Sequence, residues 1–299
     1  GPVSGTYANF TNFENVTAAG SNSLYVYADN NNNILTGGSG TSDYVDYRYA
    51  VGGVNVNLAT GVVTGGSGND TLSGFEHIYA GSQWDDVLTG NAGDNWIRGY
   101  YGNDTIDGGA GTDTWYIDWS SNLVTASLLT AAQNAAMGIV MTGDAAGDTV
   151  SNMENIYAYY SQSGGAIYGN AAANYMQGNG LIEGFIGADT IYGWLSTATA
   201  SYANAGNAYL AAQGITTAAG VGVTATLTTS FAVGPAVVNT GDAAGDTYAN
   251  VLNNLTGSAF DDTLIGNSSA NTLTGGSGND TLEGLAGADT FLCGTGTDT

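Results

Sequence analysis

Glycine recurs in this chain every nine residues, and that interval constrains the fold more than any other feature. One run starts at Gly81, Gly90, Gly99 and Gly108; another starts at Gly257, Gly266, Gly275 and Gly284, with Cys293 as its fifth member. Position six of each nine is acidic or an amide: Asp86, Asn95, Asp104 and Asp113, then Asp262, Asn271, Asp280, Asp289 and Asp298. Position eight is apolar: Leu88, Ile97, Ile106 and Trp115, then Leu264, Leu273, Leu282 and Phe291. A flexible glycine linker has no reason to lock apolar residues to one position, whereas turns at fixed intervals between short strands do. The sharpest copy, Gly65 to Ser73, returns as Gly275 to Glu283 with only its last residue changed.

Charge points the same way. Twenty-six acidic residues face two basic ones, Arg48 and Arg98, for a net charge of −24. Binding to nucleic acid or to an anionic membrane needs lysine and arginine, so neither is expected, and cations are the natural partners. A single cysteine, Cys293, rules out an intrachain disulfide and reads as a free thiol, so a metal is the natural substitute staple. No run approaches the roughly 20 apolar residues of a membrane span, and no N-terminal signal peptide is visible. With one histidine, one cysteine and no lysine, no zinc cluster or Cys–His pair is available, and any Ser-His-Asp triad would need His77. His77 reads as structural and the chain as not an enzyme.

The repeat resembles the RTX (repeats-in-toxin, hemolysin-type) calcium-binding nonapeptide family, with consensus Gly-Gly-x-Gly-x-Asp-x-apolar-x. The resemblance implies an all-β fold: a parallel β-roll or β-helix solenoid with Ca2+ ions in its turns, here interrupted by inserts with minor helix. In such a roll the apolar residue of each short strand points inward, and stacked strands lie about 4.8 Å apart. Two repeats complete a coil, so repeats i and i+2 stack. Asp86 then lies over Asp104, Asp262 over Asp280, Asp280 over Asp298, Asn95 over Asp113 and Asn271 over Asp289. Two unit charges about 4 Å apart repel by roughly 1 kcal/mol even in bulk water. Calcium, which takes about six to eight oxygen ligands, relieves that repulsion better than magnesium with its tighter octahedron.

In the family, each ion takes one carboxylate from each of two stacked turns and fills its shell with turn carbonyls. Carried over, the candidate side-chain ligands are Asp70, Asp86, Asn95, Asp104, Asp113, Asp148, Asp189, Asp246, Asp262, Asn271, Asp280, Asp289 and Asp298. The candidate turn residues are Gly275, Gly276, Ser277, Gly278, Gly294 and Gly296, with Gly102, Gly109 and Gly111. Between Asp280 and Asp298, the carbonyls of Gly275, Ser277, Gly294 and Gly296 are expected to complete the shell.

A longer period overlies the short one. Gly143 to Thr149 recurs as Gly241 to Thr247, and a small signature follows each: Met153-Glu154-Asn155-Ile156 and, more loosely, Leu252-Asn253-Asn254-Leu255. Phe75-Glu76-His77-Ile78 and Phe13-Glu14-Asn15-Val16 are further copies. The expected divisions are a partial first module over 1–64, a β-roll block over 65–118, a degenerate module over 119–194, an Ala/Thr/Gly-rich insert over 195–240 and a second block over 241–299. In the degenerate module the repeat from Gly178 is shortened, and Gly165 stands where an aspartate is expected. Helices are expected near Ala126 to Ala136 and Tyr202 to Ala212. Gly1-Pro2 reads as a cleavage scar, and neither end reads as a cap, so an excised piece of a longer chain is expected.

The expected function is an extracellular calcium-binding structural or adhesive segment, of the kind found in surface-layer-like or adhesin-like RTX proteins. The family implies type I export, without an N-terminal signal peptide, to the medium or the bacterial surface. Two alternatives stay open: the noncatalytic repeat region of a type I-secreted enzyme, and a carbohydrate-binding module. Trp84, Tyr100 and Tyr101, at turn positions, are the aromatic candidates for contact with cell-surface glycans or with other copies of the chain.

Overall fold

The computed structural model describes residues 6–8, 15–17, 20, 23–80, 82–118, 123–159, 164–227, 239–250 and 252–299. Gly1-Pro2, Phe13, Glu14, the repeat start Gly81 and residues 228–238 of the long insert lie outside the described residues. The fold is an all-β parallel roll of short strands, with two short α-helices among the described residues. It divides into two compact units: Gly1–Asp118 with Met141–Asn155, and Trp119–Val140 with Ile156–Thr299.

In the first unit the chain passes back and forth between two sheets. One holds Leu24–Tyr27, Tyr44–Asp46, His77–Tyr79, Trp96–Arg98 and Thr114–Asp118; the other includes Ile34–Thr36, Asp70–Ser73, Val87–Thr89, Thr105–Asp107 and Thr149–Ser151. A three-residue strand can point only its middle side chain inward. Val45, Ile78, Ile97 and Trp115 therefore bury from one sheet, and Leu35, Leu72, Leu88 and Ile106 from the other, all at most 5% exposed. Stacking follows the two-repeat coil: Leu88 pairs with Ile106 and Ile97 with Trp115 in parallel register.

One hairpin breaks the parallel order. Val54–Asn57 turns back into Val62–Gly65, which pairs antiparallel with Asp70–Ser73. The alternation of Val54, Asn55, Val56 and Asn57 is thus that of a half-buried hairpin strand, with Val54 and Val56 inside. Gly65 ends a strand here, whereas its counterpart Gly275 lies within a parallel one.

The second unit repeats the plan. A seven-stranded parallel sheet runs Thr125–Ser127, Gly165–Tyr168, Gly180–Glu183, Thr199–Ser201, Asn254–Thr256, Thr272–Ser277 and Thr290–Thr295. Its alternating partners are first Tyr175–Gly178 and Thr190–Gly193, and later Thr224–Thr226, Thr263–Ile265 and Thr281–Glu283.

The helices of this unit are Ala131–Met137 and Ala208–Ala212, each starting a few residues later than the composition predicts. Strand Thr125–Ser127 takes the start of the first segment, and Thr130 caps the helix through a reciprocal pairing with Gln133. Both inserts converge on Phe185, which packs with Leu129, Leu210 and Ile215. Phe185 occupies position two of its repeat with a φ of 68°, a glycine-like conformation, and is fully buried. Burying the ring offsets a left-handed backbone cost of about 1–2 kcal/mol.

Candidate metal sites

The position-six residues form columns. Along each column, one aspartate oxygen accepts the backbone N–H of its counterpart in the adjacent coil. Asp86 N–H donates to Asp104 Oδ1 at 2.9 Å, and Asp104 N–H to Asp148 Oδ1 at 2.9 Å. Asn95 N–H donates to Asp113 at 2.7 Å. In the second unit, Asp262 donates to Asp280 at 2.9 Å, Asp280 to Asp298 at 3.1 Å, and Asn271 to Asp289 at 3.0 Å. Asn174 donates to Asp189 at 2.8 Å, and Asp189 to Asp246 at 3.0 Å.

The second oxygen of Asp104, Asp113, Asp189, Asp262, Asp280 and Asp289 lies against the glycine at position one of its own repeat, a cradle that at Asp113, Asp262 and Asp280 also holds the position-one carbonyl of the next coil. A methyl group on Gly275 would lie within 2.5 Å of both Asp280 Oδ2 and the Cys293 carbonyl oxygen; on Gly257, within 2.6 Å of both Asp262 Oδ2 and the Gly275 carbonyl oxygen. Position one is glycine because these oxygens take the space of a side chain. Position four is constrained likewise where a full turn precedes it. A Cβ on Gly278, with φ +123°, would meet the backbone of Phe260 closer than 3.0 Å. Gly102, Gly109, Gly111, Gly276, Gly294 and Gly296 share this positive φ.

Four cradle oxygens, Oδ2 of Asp104, Asp113, Asp189 and Asp280, have no hydrogen-bond partner, and their residues are at most 1% exposed. Leaving a carboxylate oxygen dry and unpaired costs several kcal/mol unless it is protonated or meets a cation. Burial accordingly pushes these groups up: Asp104 to about 7, Asp148 and Asp189 to about 8, and Asp70, Asp86, Asp113 and Asp246 to about 6. Neighbouring aspartates add to the rise at Asp104, Asp148 and Asp189. Asp262 and Asp280 are raised for the same first reason. Paired carboxylate and carbonyl oxygens, dry and short of counter-charge, fit a hard divalent cation. Among the described residues no point gathers three or more His, Cys, Asp or Glu side chains; the donor set is two carboxylates with backbone carbonyls.

Each unbroken nine-residue run opens on the same rung. Gly81-Ser82-Gln83-Trp84-Asp85-Asp86 and Gly257-Ser258-Ala259-Phe260-Asp261-Asp262 place serine at position two. Ser82 Oγ donates to Asp86 at 2.9 Å, and Ser258 Oγ to Asp262 at 2.9 Å, so these two carboxylates are held from within the protein. Asp70 joins no other repeat aspartate: it receives the N–H of Asn33 at 2.8 Å, and the antiparallel strand Val62–Gly65 lies on its other side. In the middle of the chain, Asp148 extends the column of Asp104, and Asp189 and Asp246 stack together. On the opposite side Gly165 pairs with Gly180, and neither carries a carboxylate.

The small signatures are shortened rungs. Gly74-Phe75-Glu76 and Asn152-Met153-Glu154 put a carboxylate two residues after position one rather than five. Glu76 Oε2 accepts the N–H of Asp43 at 2.9 Å, and Glu154 Oε2 that of Asp113 at 2.7 Å. Phe75, Met153 and Leu252, which follow position one of the short rungs, are buried at 3% exposure. His77, 4% exposed, is held neutral by burial, which lowers its pKa to about 4, and its Nδ1 accepts Trp96 N–H at 3.1 Å.

The first unit also carries an aromatic ladder, which apolar periodicity does not reveal because its members flank the inward positions. Tyr25 stacks on Tyr44 at 5.6 Å, Tyr79 on Tyr116 at 5.8 Å and Trp96 on Tyr116 at 5.7 Å. Both basic residues of the chain join it: Arg48 lies 5.2 Å from the Tyr27 ring and bonds Asp46, and Arg98 lies 4.3 Å from the Tyr100 ring.

Fold and donor set together define a parallel β-roll of the cation-binding type. The RTX calcium-binding nonapeptide repeat model matches four segments, residues 61–77, 81–114, 256–291 and 265–299. The chain carries RTX calcium-binding nonapeptide repeats. Among curated proteins, none matches the chain.

Proposed function

We propose that this chain is an extracellular structural or adhesive segment that folds and stiffens on calcium. The observation that carries the reading is the set of buried, unpartnered carboxylate oxygens of Asp104, Asp113, Asp189 and Asp280, each facing a cradle in a chain with two cations. In this reading Asp86, Asp104 and Asp148 hold ions in one column, Asn95 and Asp113 in another, and Asp262, Asp280 and Asp298 in a third. Asp189 and Asp246, and Asn271 and Asp289, hold further ions, and Asp70 sits at the margin beside Asn33. Carbonyls of Gly275, Ser277, Gly294 and Gly296, and their equivalents near Gly102, Gly109 and Gly111, complete the shells. Bound calcium supplies positive charge and cross-links successive coils.

Extracellular calcium modules bind at about 10⁻⁴–10⁻³ M, so such sites stay empty inside a cell and fill outside it. A chain without disulfides gains its staple after export in that way. Exposed Tyr49, Trp84 and Tyr101, between 43% and 69% exposed, are the surface aromatics that support contact with glycans or with further copies.

Calcium titration followed by far-ultraviolet circular dichroism, with chelator reversal, tests the reading. The β signal and melting temperature are expected to rise with calcium and fall back with chelator. An apo form with the same spectrum and melting point as the calcium form refutes it.

A further inference from the structure

The shortened rungs end two of the columns with glutamate where the nine-residue frame has aspartate. Counted back from the buried apolar residue, the frames agree: Glu154 precedes Ile156 by two residues, as Asp113 precedes Trp115 and Asp104 precedes Ile106. The turn residues between position one and the carboxylate are deleted, and the extra methylene of glutamate spans the gap. Glu154 Oε2 takes the N–H of Asp113, the bond that Asp104 Oδ1 makes to Asp86 in a full rung. The cradle persists as well. A Cβ on Gly108 would lie within 2.6 Å of both Asp113 Oδ2 and the carbonyl oxygen of Asn152, the position-one residue of the short rung. Asp113 Oδ2 has no hydrogen-bond partner, and the residue is 1% exposed. A related arrangement stands at Gly37, where the Gly74 carbonyl oxygen and Asp43 Oδ2 converge, although Asp43 Oδ2 there also accepts the Gly38 N–H at 2.7 Å. Glu76 there accepts the N–H of Asp43, which is fully buried.

We propose that Glu154 with Asp113, and Glu76 with Asp43, are two further calcium sites, each closed by a glutamate on a shortened rung; the inference rests on the calcium-folded reading above. The Asn152 carbonyl joins the first site and the Gly74 carbonyl the second. Deleting the turn removes its carbonyl donors, so these sites depend more on carboxylate charge than full-length ones do. The third short rung, Leu252-Asn253-Asn254-Leu255, has asparagine in the glutamate's place and falls outside the assignment.

Native mass spectrometry of the whole chain at pH 7.5 in millimolar calcium chloride counts bound ions in the wild type and in E154Q, E154D and D113N. Glutamine still accepts the Asp113 N–H but brings no charge, whereas aspartate keeps the charge on an arm too short to reach. E154Q and E154D are expected to hold one ion fewer than wild type, and D113N, which also serves the Asn95–Asp113 rung, two fewer. If Glu154 only receives a backbone hydrogen bond, E154Q keeps the wild-type count while D113N loses an ion, and the proposal falls with the calcium-folded reading intact. If the wild type binds no calcium, both fall. Should E154Q fail to reach the wild-type circular dichroism spectrum in calcium, the same count on E76Q decides the question.

Discussion

Stripping calcium from the folded chain at pH 8 leaves buried carboxylates ionised with nothing opposite them, and the cost follows from their surroundings. Burial raises Asp104 from 3.8 to about 7 and Asp148 from 3.8 to about 8, and the two are joined through the column. One pKa unit is about 1.4 kcal/mol, so ionising Asp104 in the folded state costs on the order of 4 kcal/mol relative to the unfolded chain. A second such group brings the total to most of a domain's net stability, about 5–15 kcal/mol. These groups bind protons more tightly when folded, so apo stability is greatest below the unfolded pKa. It falls as pH climbs from about 4 through 7 to 8. Calcium reverses the trend, because it needs the deprotonated carboxylates and gains affinity as pH rises. Thermal melts of metal-free and calcium-saturated protein at pH 5, 6.5 and 8 test this. The metal-free melting temperature should fall steadily with pH, and the gain from calcium should widen. A metal-free chain that melts as high at pH 8 as at pH 5 would show that the buried carboxylates are solvated or paired in a way these distances do not contain.

Two substitutions separate the charge from the geometry. D104N keeps the bond to Asp86 N–H and removes one buried charge, so metal-free D104N should be more stable than wild type at pH 8. In 10 mM calcium it should be less stable by about 3 kcal/mol for a site of about 10⁻⁴ M, and paired melts that move the same way in both conditions exclude this. Gly102 and Gly93 both hold position four, but a Cβ on Gly102 would strike the Trp84 carbonyl, whereas Gly93 has only the Asn91 side chain at 3.4 Å. G102A should cost several kcal/mol by urea denaturation and G93A under about 1 kcal/mol; equal losses would remove the steric account of the glycine period.

The nine-residue frame was legible because it carries one obligatory apolar residue per strand. Leu88, Ile106, Leu264 and Leu282 name their own register, and the columns through Asp104, Asp113 and Asp280 follow from it. Glu76 and Glu154 were hidden because a frame counted from glycine loses step when turn residues are deleted; counted back from Ile78 and Ile156, they fall at position six. Gly65 to Ser73 misleads in the opposite sense. Its residues match Gly275 to Glu283 almost throughout, yet the hairpin from Val54 to Gly65 occupies the neighbouring strand position and leaves Asp70 beside Asn33. Local sequence cannot tell which coil will arrive next to it. The inserts were opaque for a related reason: Phe185, Leu129, Leu210 and Ile215 are distant in sequence and meet only in three dimensions.

The aromatic residues make the two ends of the roll optically unequal. Trp96, Trp115, Tyr79 and Tyr116 are packed in the first unit on the strands that follow Glu76, Asn95 and Asp113, whereas residues 252–299 contain neither tryptophan nor tyrosine. Tryptophan emission and the tyrosine and tryptophan part of the near-ultraviolet signal therefore report ordering before residue 252 and are blind to residues 252–299. Far-ultraviolet signals report both. The lag between the two spectral regions during calcium addition gives the order in which the blocks form, without any label being attached.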